Sequence, residues 1–228
     1  MFERFTGRAG HAMCLAYEES ERLHHDYVGP EHVLAGLAQQ EDGRAAAILA
    51  GSGLGPRAVR AGLDHLVAVG VLPGPWRSKA ELLGSLGIDL AAVRRAAEDS
   101  FGVEAVSAAG RRARSRSPLR AEPFICTDPL NPLSGKVMLA KRAFELARQE
   151  ADGLGQHEIR TGQLLLGVLR DAEDPRGTGL SRRTRRMGFQ LGLPPGGPSP
   201  VRLVVEGAGL RLEVLRARVL AAQHGGFA

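Results

Sequence analysis

The chain has 228 residues, 43% of them hydrophobic, with a formal net charge of +5 and a pI of about 9.8. That is enough apolar material for one or two compact domains, and no apolar run is long enough to cross a bilayer. Aromatic residues make up only 4%, so the core must be built from Ala, Leu and Val, which favours packed helices over a β-sandwich.

In chain order, Thr6 is an N-cap candidate for a helix running to about Leu23, with Ala9, Met13, Ala16 and Ser20 on one face. Gly29-Pro30 opens a second helix, because proline suits the first helical position, and Val33, Leu34 and Leu37 form its buried stripe. Arg44 to Ala50 reads as a third helix, stopped by Gly51-Ser52-Gly53. Pro56 starts a fourth, with Val59, Leu63 and Leu66 inward. Two further helices are expected at Lys79–Leu86 and Asp89–Phe101, followed by a Ser-, Arg- and Pro-containing linker at 104–130. Beyond it, helices are expected from about Ser134 to Gly153 and from Thr161 to Leu169. An Arg-, Gly- and Pro-rich surface loop at about 174–199 and a closing helix from about Gly209 complete the chain.

These segments repeat. Leu15-Ala16-Tyr17-Glu18-Glu19 and Val28-Gly29-Pro30-Glu31-His32-Val33-Leu34-Ala35-Gly36-Leu37 return, diluted, at Leu146-Ala147-Arg148-Gln149-Glu150 and Ile159-Arg160-Thr161-Gly162-Gln163-Leu164-Leu165-Leu166-Gly167-Val168, at a constant offset of 131 residues. The closing helix at Gly209 matches Gly53 at an offset of 156, and Gly87 matches it again at 34. A duplicated unit of this length implies two copies of one small helical fold. The organisation reads as a first repeat at 1–70, an inserted helical segment at 71–103, a linker at 104–130, and a second, divergent repeat at 131–224 interrupted at about 174–199.

The opening Met1-Phe2-Glu3-Arg4-Phe5-Thr6, the Glu-Glu helix and the Gly29-Pro30-Glu31-His32 block resemble the N-terminal double-repeat domain of the Clp unfoldases, closest to ClpC. The resemblance implies an all-α fold of two pseudo-twofold-related four-helix Clp repeats, here with additional helices between them. It also implies a stand-alone recognition module, because 228 residues cannot hold a Clp ATPase ring beside two repeats. Ser134-Gly135-Lys136 does not rescue a phosphate loop: Leu130 stands where its first glycine belongs and Val137 where Ser or Thr belongs. No cofactor is expected.

No catalytic constellation is expected either, since the chain lacks a Gly-x-Ser-x-Gly elbow and neither Cys14 nor Cys126 has a catalytic context. Cys14 reads as a reduced, small core hydrophobe. His24, His25, Asp26, Glu31 and His32 fit no usual zinc spacing, so no metal is expected.

Two candidate surfaces follow from the resemblance. In ClpC-type domains the Glu of the Gly-x-Glu-His block helps hold the guanidinium of phosphoarginine, with one site per repeat. Thr6 and Glu31 match the first site, whereas the equivalent residues in the second are Val137 and Gly162. An ordinary alternative is that Glu31 merely favours the positive start of its helix. The second surface is a groove between the first helices of the repeats that takes cyclic peptides in actinobacterial relatives. The aligned residues here are Met1, Phe2, Met13, Tyr17, Lys141, Phe144 and Glu145, with core packing as the competing reading. The expected function is thus a non-enzymatic cytoplasmic binder of peptides, degrons or cyclic peptides. It would modulate a ClpC–ClpP protease as adaptor, competitor or decoy, with a ClpC-type ATPase or its substrates as partners. The alternative is a nucleic-acid-associated protein using the runs Arg111–Ser117 and Arg182–Arg186. Neither run has interleaved aromatics, so solvated basic loops are expected and a nucleic-acid partner is not.

Overall fold

A computed structural model describes residues 3–40, 43–74, 89–106, 109 and 136–224. Among these residues the fold is all-α apart from one two-residue strand pair. Helices α1 (Gly7–Arg22), α2 (Pro30–Ala38), α3 (Arg44–Gly51) and α4 (Pro56–Ala68) form the first repeat. Helices α6 (Lys141–Gly153), α7 (Thr161–Glu173), α9 (Pro200–Gly207) and α10 (Leu212–His224) form the second. Helix α5 (Leu90–Phe101) lies between them in sequence, and α8 (Arg182–Gln190) lies within the second repeat's insertion. The expected helix at 79–86 and most of the linker at 104–130 fall outside the described residues.

Each repeat is organised by one close helix crossing. A Cβ placed on Gly36 of α2 would collide with the Ala12 carbonyl and approach the Ala16 amide nitrogen of α1 to 2.7 Å. A Cβ on Gly167 of α7 would collide in the same way with Ala143 and Ala147 of α6. These are the same positions in the two repeats at the 131-residue offset. The backbones approach so closely because glycine meets alanines. The two central helices, α2 and α7, pack on each other and bury almost every residue, as expected of helices that are apolar nearly all round. A single core cluster runs through both repeats, from Ala9 to Val219.

The helix ends follow local chemistry. The Thr6 hydroxyl accepts from Ala9 N–H at 3.3 Å, and prolines stand at the starts of α2, α4 and α9. At the end of α1, His24 takes the left-handed conformation (φ 55°), and His25 N–H reaches back to the Ser20 carbonyl at 2.8 Å. The second repeat closes α6 identically, but with Gly155 (φ 66°) and Gln156, glycine being the residue this backbone favours. Buried Glu19 of α1 pairs with Arg22 and with Arg60 of α4, and its counterpart Glu150 pairs with Arg170 and with Arg216 of α10.

Three expectations are corrected. The helix expected from Ser134 begins only at Lys141, because strand β2 (Val137–Met138) precedes it and pairs in parallel with β1 (Tyr27–Val28). The segment expected as a basic loop contains α8, capped by the Ser181 hydroxyl accepting from Thr184 N–H, so Arg182–Arg186 are helical. Cys14 is half-buried and disulfide-bonded rather than a reduced core thiol.

The glycine crossing makes a signed prediction. Gly36→Ala should lower the unfolding free energy by about 1–3 kcal/mol through overpacking, although alanine has the better helix propensity. Gly10→Ala, on the same helix layer but with nothing within 4 Å of an added Cβ, should instead raise it by about 0.5–1 kcal/mol. Urea unfolding of both variants checks the pair. A Gly36→Ala protein as stable as wild type would mean that the crossing is loose.

Candidate functional site

The repeats join by exchanging strand-like edges. Phe5 bridges Ile159, with Thr6 N–H donating to the Ile159 carbonyl at 3.1 Å. On the other side Val28 pairs with Met138, and Leu139 N–H donates to the Val28 carbonyl at 2.9 Å. The start of each repeat therefore meets the second helix of the other. Met138-Leu139, not Lys136-Val137, occupies the place of Phe5-Thr6, an offset of 133 where the helices keep 131.

This exchange separates Thr6 from Glu31. Helices α1 and α2 run antiparallel: the Gln40 carboxamide just beyond α2 donates to the Arg8 carbonyl in the first turn of α1 at 2.5 Å. Thr6 and Glu31 thus lie at opposite ends of the pair, and a nine-residue helix such as α2 spans about 13 Å. Glu31 instead faces Leu139 at the start of the second repeat, and Thr6 faces the start of α7. Neither composite pairs the glutamate of one repeat with the threonine of the other: Glu31 meets Leu139, and Thr6 meets the repeat that carries Gly162. In the second one the space beside Gly162 is filled by the Gln223 carboxamide of α10.

Of the groove residues, Met13, Tyr17 and Phe144 are core: each is at most 7% exposed. Phe144 receives Phe5 edge-on at 5.7 Å, and the Lys136 ammonium stands over the Tyr17 ring at 5.1 Å. The first helices of the repeats spend these side chains on packing. Lys141 and Glu145 are exposed, and Met1 and Phe2 lie outside the described residues.

What remains is a pocket of about 60 Å³ at the start of α2. Its floor is Tyr27, Gly29 and Glu31; its walls are Arg142 and Asp171 from the second repeat and the insertion from Pro175 to Ser199. Backbone hydrogen bonds between Arg176 and residues 196 and 197 close the insertion's base, and Leu193 is buried beneath it. Arg142 ties it down through ion pairs to Asp171 (3.1 Å) and Asp174.

Glu31 is only 2% exposed, with its side chain folded back over Gly29, where any Cβ would collide with it. Burial pushes its carboxyl up, against the pull of the Tyr27 hydroxyl and the Arg176 guanidinium. Burial and the neighbouring Glu31 likewise raise the Tyr27 phenol well above its ordinary value. Although the two groups sense each other, neither the Tyr27 hydroxyl nor Glu31 Oε1 has a hydrogen-bond partner of ordinary geometry, and neither does the buried Arg176 Nε. Asp171 is raised by burial to about 6 despite Arg142.

Beneath the pocket runs a hydrogen-bonded chain that fixes two tautomers. Gly29 N–H donates to His32 Nδ1 at 2.9 Å, so His32 carries its proton on Nε2. That nitrogen lies 2.9 Å from His25 Nδ1, and His25 Nε2 then donates to the Pro73 carbonyl at 2.9 Å. Both imidazoles are neutral, and burial lowers the pKa of each, well below the ordinary value for His32. The second repeat builds the same chain from amides: Arg160 N–H to Gln163 Oε1, and Gln163 Nε2 to Gln156. His25 and His32 therefore belong to a helix-start cap, which becomes apparent beside the second repeat's Gln counterparts.

A base whose folded-state pKa is depressed leaves the unfolded chain binding more protons, so its contribution to stability is intact above about pH 6.5 and is lost as pH falls below it. Glu31 and Asp171, both raised, act oppositely: each favours the folded state as pH falls toward the ordinary carboxyl range, for Asp171 from about 6. The double variant His25→Gln/His32→Gln, which transplants the second repeat's cap, should match wild type near pH 7.5 and exceed it increasingly below pH 6.5. Thermal or urea unfolding across pH 5–8 measures the difference. Parallel curves would show that the imidazoles do not drive acid sensitivity.

The comparisons with known proteins agree with this architecture. The family described as the Clp repeat (R) N-terminal domain matches residues 4–71. The chloroplastic chaperone protein ClpC of Pisum sativum is 30% identical over 174 residues, covering 76% of this chain and 13% of that protein. A probable ATP-dependent Clp protease ATP-binding subunit of Chlamydia pneumoniae is 30% identical over 173 residues, covering 76% of this chain and 14% of that protein. The chain thus spans only about 13–14% of the length of these relatives. The crystal structure of the N-terminal domain of the caseinolytic protease associated chaperone ClpD from Arabidopsis thaliana shares the fold, with a TM-score of 0.51 at 18% identity, covering 99% of this chain and 97% of that one. The chain thus carries a Clp repeat (R) N-terminal domain at residues 4–71, is similar to ClpC-type proteins over about three quarters of its length, and has the fold of a Clp N-terminal domain.

Proposed function

We propose that the chain is a non-enzymatic ClpC-type recognition module that binds peptides, degrons or cyclic peptides and modulates a ClpC–ClpP protease as adaptor, competitor or decoy. The observation that carries this reading is the Glu31 pocket: a buried carboxylate at a cross-repeat junction, in a fold that matches only the N-terminal part of ATP-driven relatives. Its chemistry suits binding. Tyr27, Glu31 and Arg176, each with a buried polar atom lacking an ordinary hydrogen bond, line this pocket, whereas Met13, Tyr17 and Phe144 are buried in the core.

Adding saturating chain to a reconstituted ClpC–ClpP reaction should change the rate of protein degradation, upward for an adaptor and downward for a competitor or decoy. Degradation and cyclic-peptide sensitivity that both stay unchanged would overturn the proposal.

One observation favours the nucleic-acid reading: α8 presents Arg182, Arg185 and Arg186 at its surface beside Phe189, which is 65% exposed. That reading expects single-stranded oligonucleotide affinity that drops steeply with salt and depends on Phe189 stacking. Binding unmoved by Phe189→Ala and by Arg182→Gln would dismiss it.

A further inference from the structure

The charge pattern of the Glu31 pocket points to a specific ligand chemistry. The inference rests on reading this pocket as the ligand-holding part of the domain, and it names what the pocket holds. Among the described residues no arginine or lysine comes within ion-pair distance of Glu31: the ring nitrogen His32 Nδ1 stands 3.6 Å from Oε1, and the Arg176 guanidinium acts on it only from farther away. The His32 nitrogen already accepts from Gly29 N–H, so it offers a lone pair rather than a proton. A carboxylate buried against a lone pair, without a counter-ion, is relieved by taking up a proton, and the burial of Glu31 acts in the same direction. In its protonated form Glu31 presents a donor.

The neighbouring groups are donors as well. The Tyr27 hydroxyl is buried, and its contact with Glu31 falls short of ordinary hydrogen-bond geometry. Arg176 has a buried, unpartnered Nε, and its terminal nitrogens reach the Val71 and Pro198 carbonyls only at 3.5 and 3.4 Å. Arg185 also lines the space, lying against Gly177. Arg142 is already neutralised by Asp171 and Asp174. The pocket thus holds two guanidinium groups that have no ion-pair partner among the described residues, Arg176 and Arg185, and both come from the insertion that interrupts the second repeat.

We propose that this pocket binds an oxyanion, a carboxylate or phosphate group, held by Arg176 and Arg185 with the Tyr27 hydroxyl and the Glu31 carboxyl as neutral donors. Charge-assisted hydrogen bonds to guanidinium are the strong ones available to such a group. A volume of about 60 Å³ is several times the roughly 10–15 Å³ that one water needs, so it admits a small polyatomic group. A cationic ligand fits poorly: it would meet two arginines with Glu31 as its only uncommitted carboxylate. The insertion has therefore inverted the preference that the Glu31 position implies by resemblance.

The test is an NMR titration of the full, ¹⁵N-labelled chain with acetate, inorganic phosphate and methylguanidinium, followed at the Gly29, Glu31 and Gly177 amides. At neutral pH, acetate or phosphate should give saturable shifts at these amides and methylguanidinium should not. Arg176→Gln should weaken oxyanion binding by at least tenfold. Glu31→Gln, which keeps a donor and removes the charge, should leave it equal or tighter. Amide dispersion in each spectrum shows whether the variant is folded. Acetate preferred over phosphate would identify a peptide carboxylate as the source, and the reverse order a phosphorylated residue. Saturable methylguanidinium binding that is lost in Glu31→Gln would overturn the proposal in favour of a cation pocket. No response to any probe would overturn it as well, whereas the effect on ClpC–ClpP degradation would still decide the broader reading.

Discussion

The structure depends on two places where a helix has no side chain. Gly36 on α2 and Gly167 on α7 let the backbones of α1 and α6 come within van der Waals contact, against Ala12 and Ala16 in one repeat and Ala143 and Ala147 in the other. Dispersion contacts are individually weak, and a gap of even half an ångström forfeits much of them. A crossing set by glycine against alanine therefore fixes the helix pair with little freedom. Once α1 and α2 are locked antiparallel, the start of α2 must emerge at the far end of the pair from the start of α1. The edges Phe5-Thr6 and Tyr27-Val28 then have no partner within their own repeat, and each pairs with the opposite one. The composite nature of the pocket is a consequence of that crossing.

Most element boundaries were legible because the residues that set them act locally. Thr6, Pro30 and Pro56 mark helix starts whatever surrounds them, and the stripe Val59, Leu63, Leu66 is buried as its spacing implies. The repeat offset of 131 also held through the glycine crossings. What was not legible depends on long-range geometry. Two-residue strands have no periodicity to detect, so the β1–β2 pairing and the two-residue slip at Met138-Leu139 could not be read. The separation of Thr6 from Glu31 was hidden for the same reason: residues aligned within one repeat need not be neighbours in space. Helix α8 was hidden by composition, because four arginines in five residues carry no apolar stripe; its Ser181 cap and the packing of buried Gly188 and Leu193 do the work that a stripe would do.

Comparison of the two halves separates architecture from function. Where both repeats meet one structural need, they do so with different residues in the same geometry. His24 and Gly155 turn the chain, His32 and Gln163 cap the second helix, and Glu19 and Glu150 each hold an arginine from the closing helix. Such pairs show which polar residues are scaffold, and they remove His25 and His32 from any list of candidate ligands.

The positions with no counterpart are the informative ones. Glu31 stands opposite Gly162, whose space Gln223 fills, and Tyr27 and Glu31 are walled by an insertion that the first repeat lacks. Scaffold needs cannot account for a buried carboxyl, phenol and guanidinium that leave hydrogen-bonding atoms unsatisfied, since each such atom costs about 1–3 kcal/mol. The second repeat shows that the fold closes without them, using a glycine and a carboxamide at the same junction. The insertion adds to that cost rather than relieving it, because Arg176 brings a further buried donor without a partner. A group that enters the pocket and accepts from all three would recover this free energy only while bound, which is how a destabilised junction on a rigid scaffold becomes a binding site.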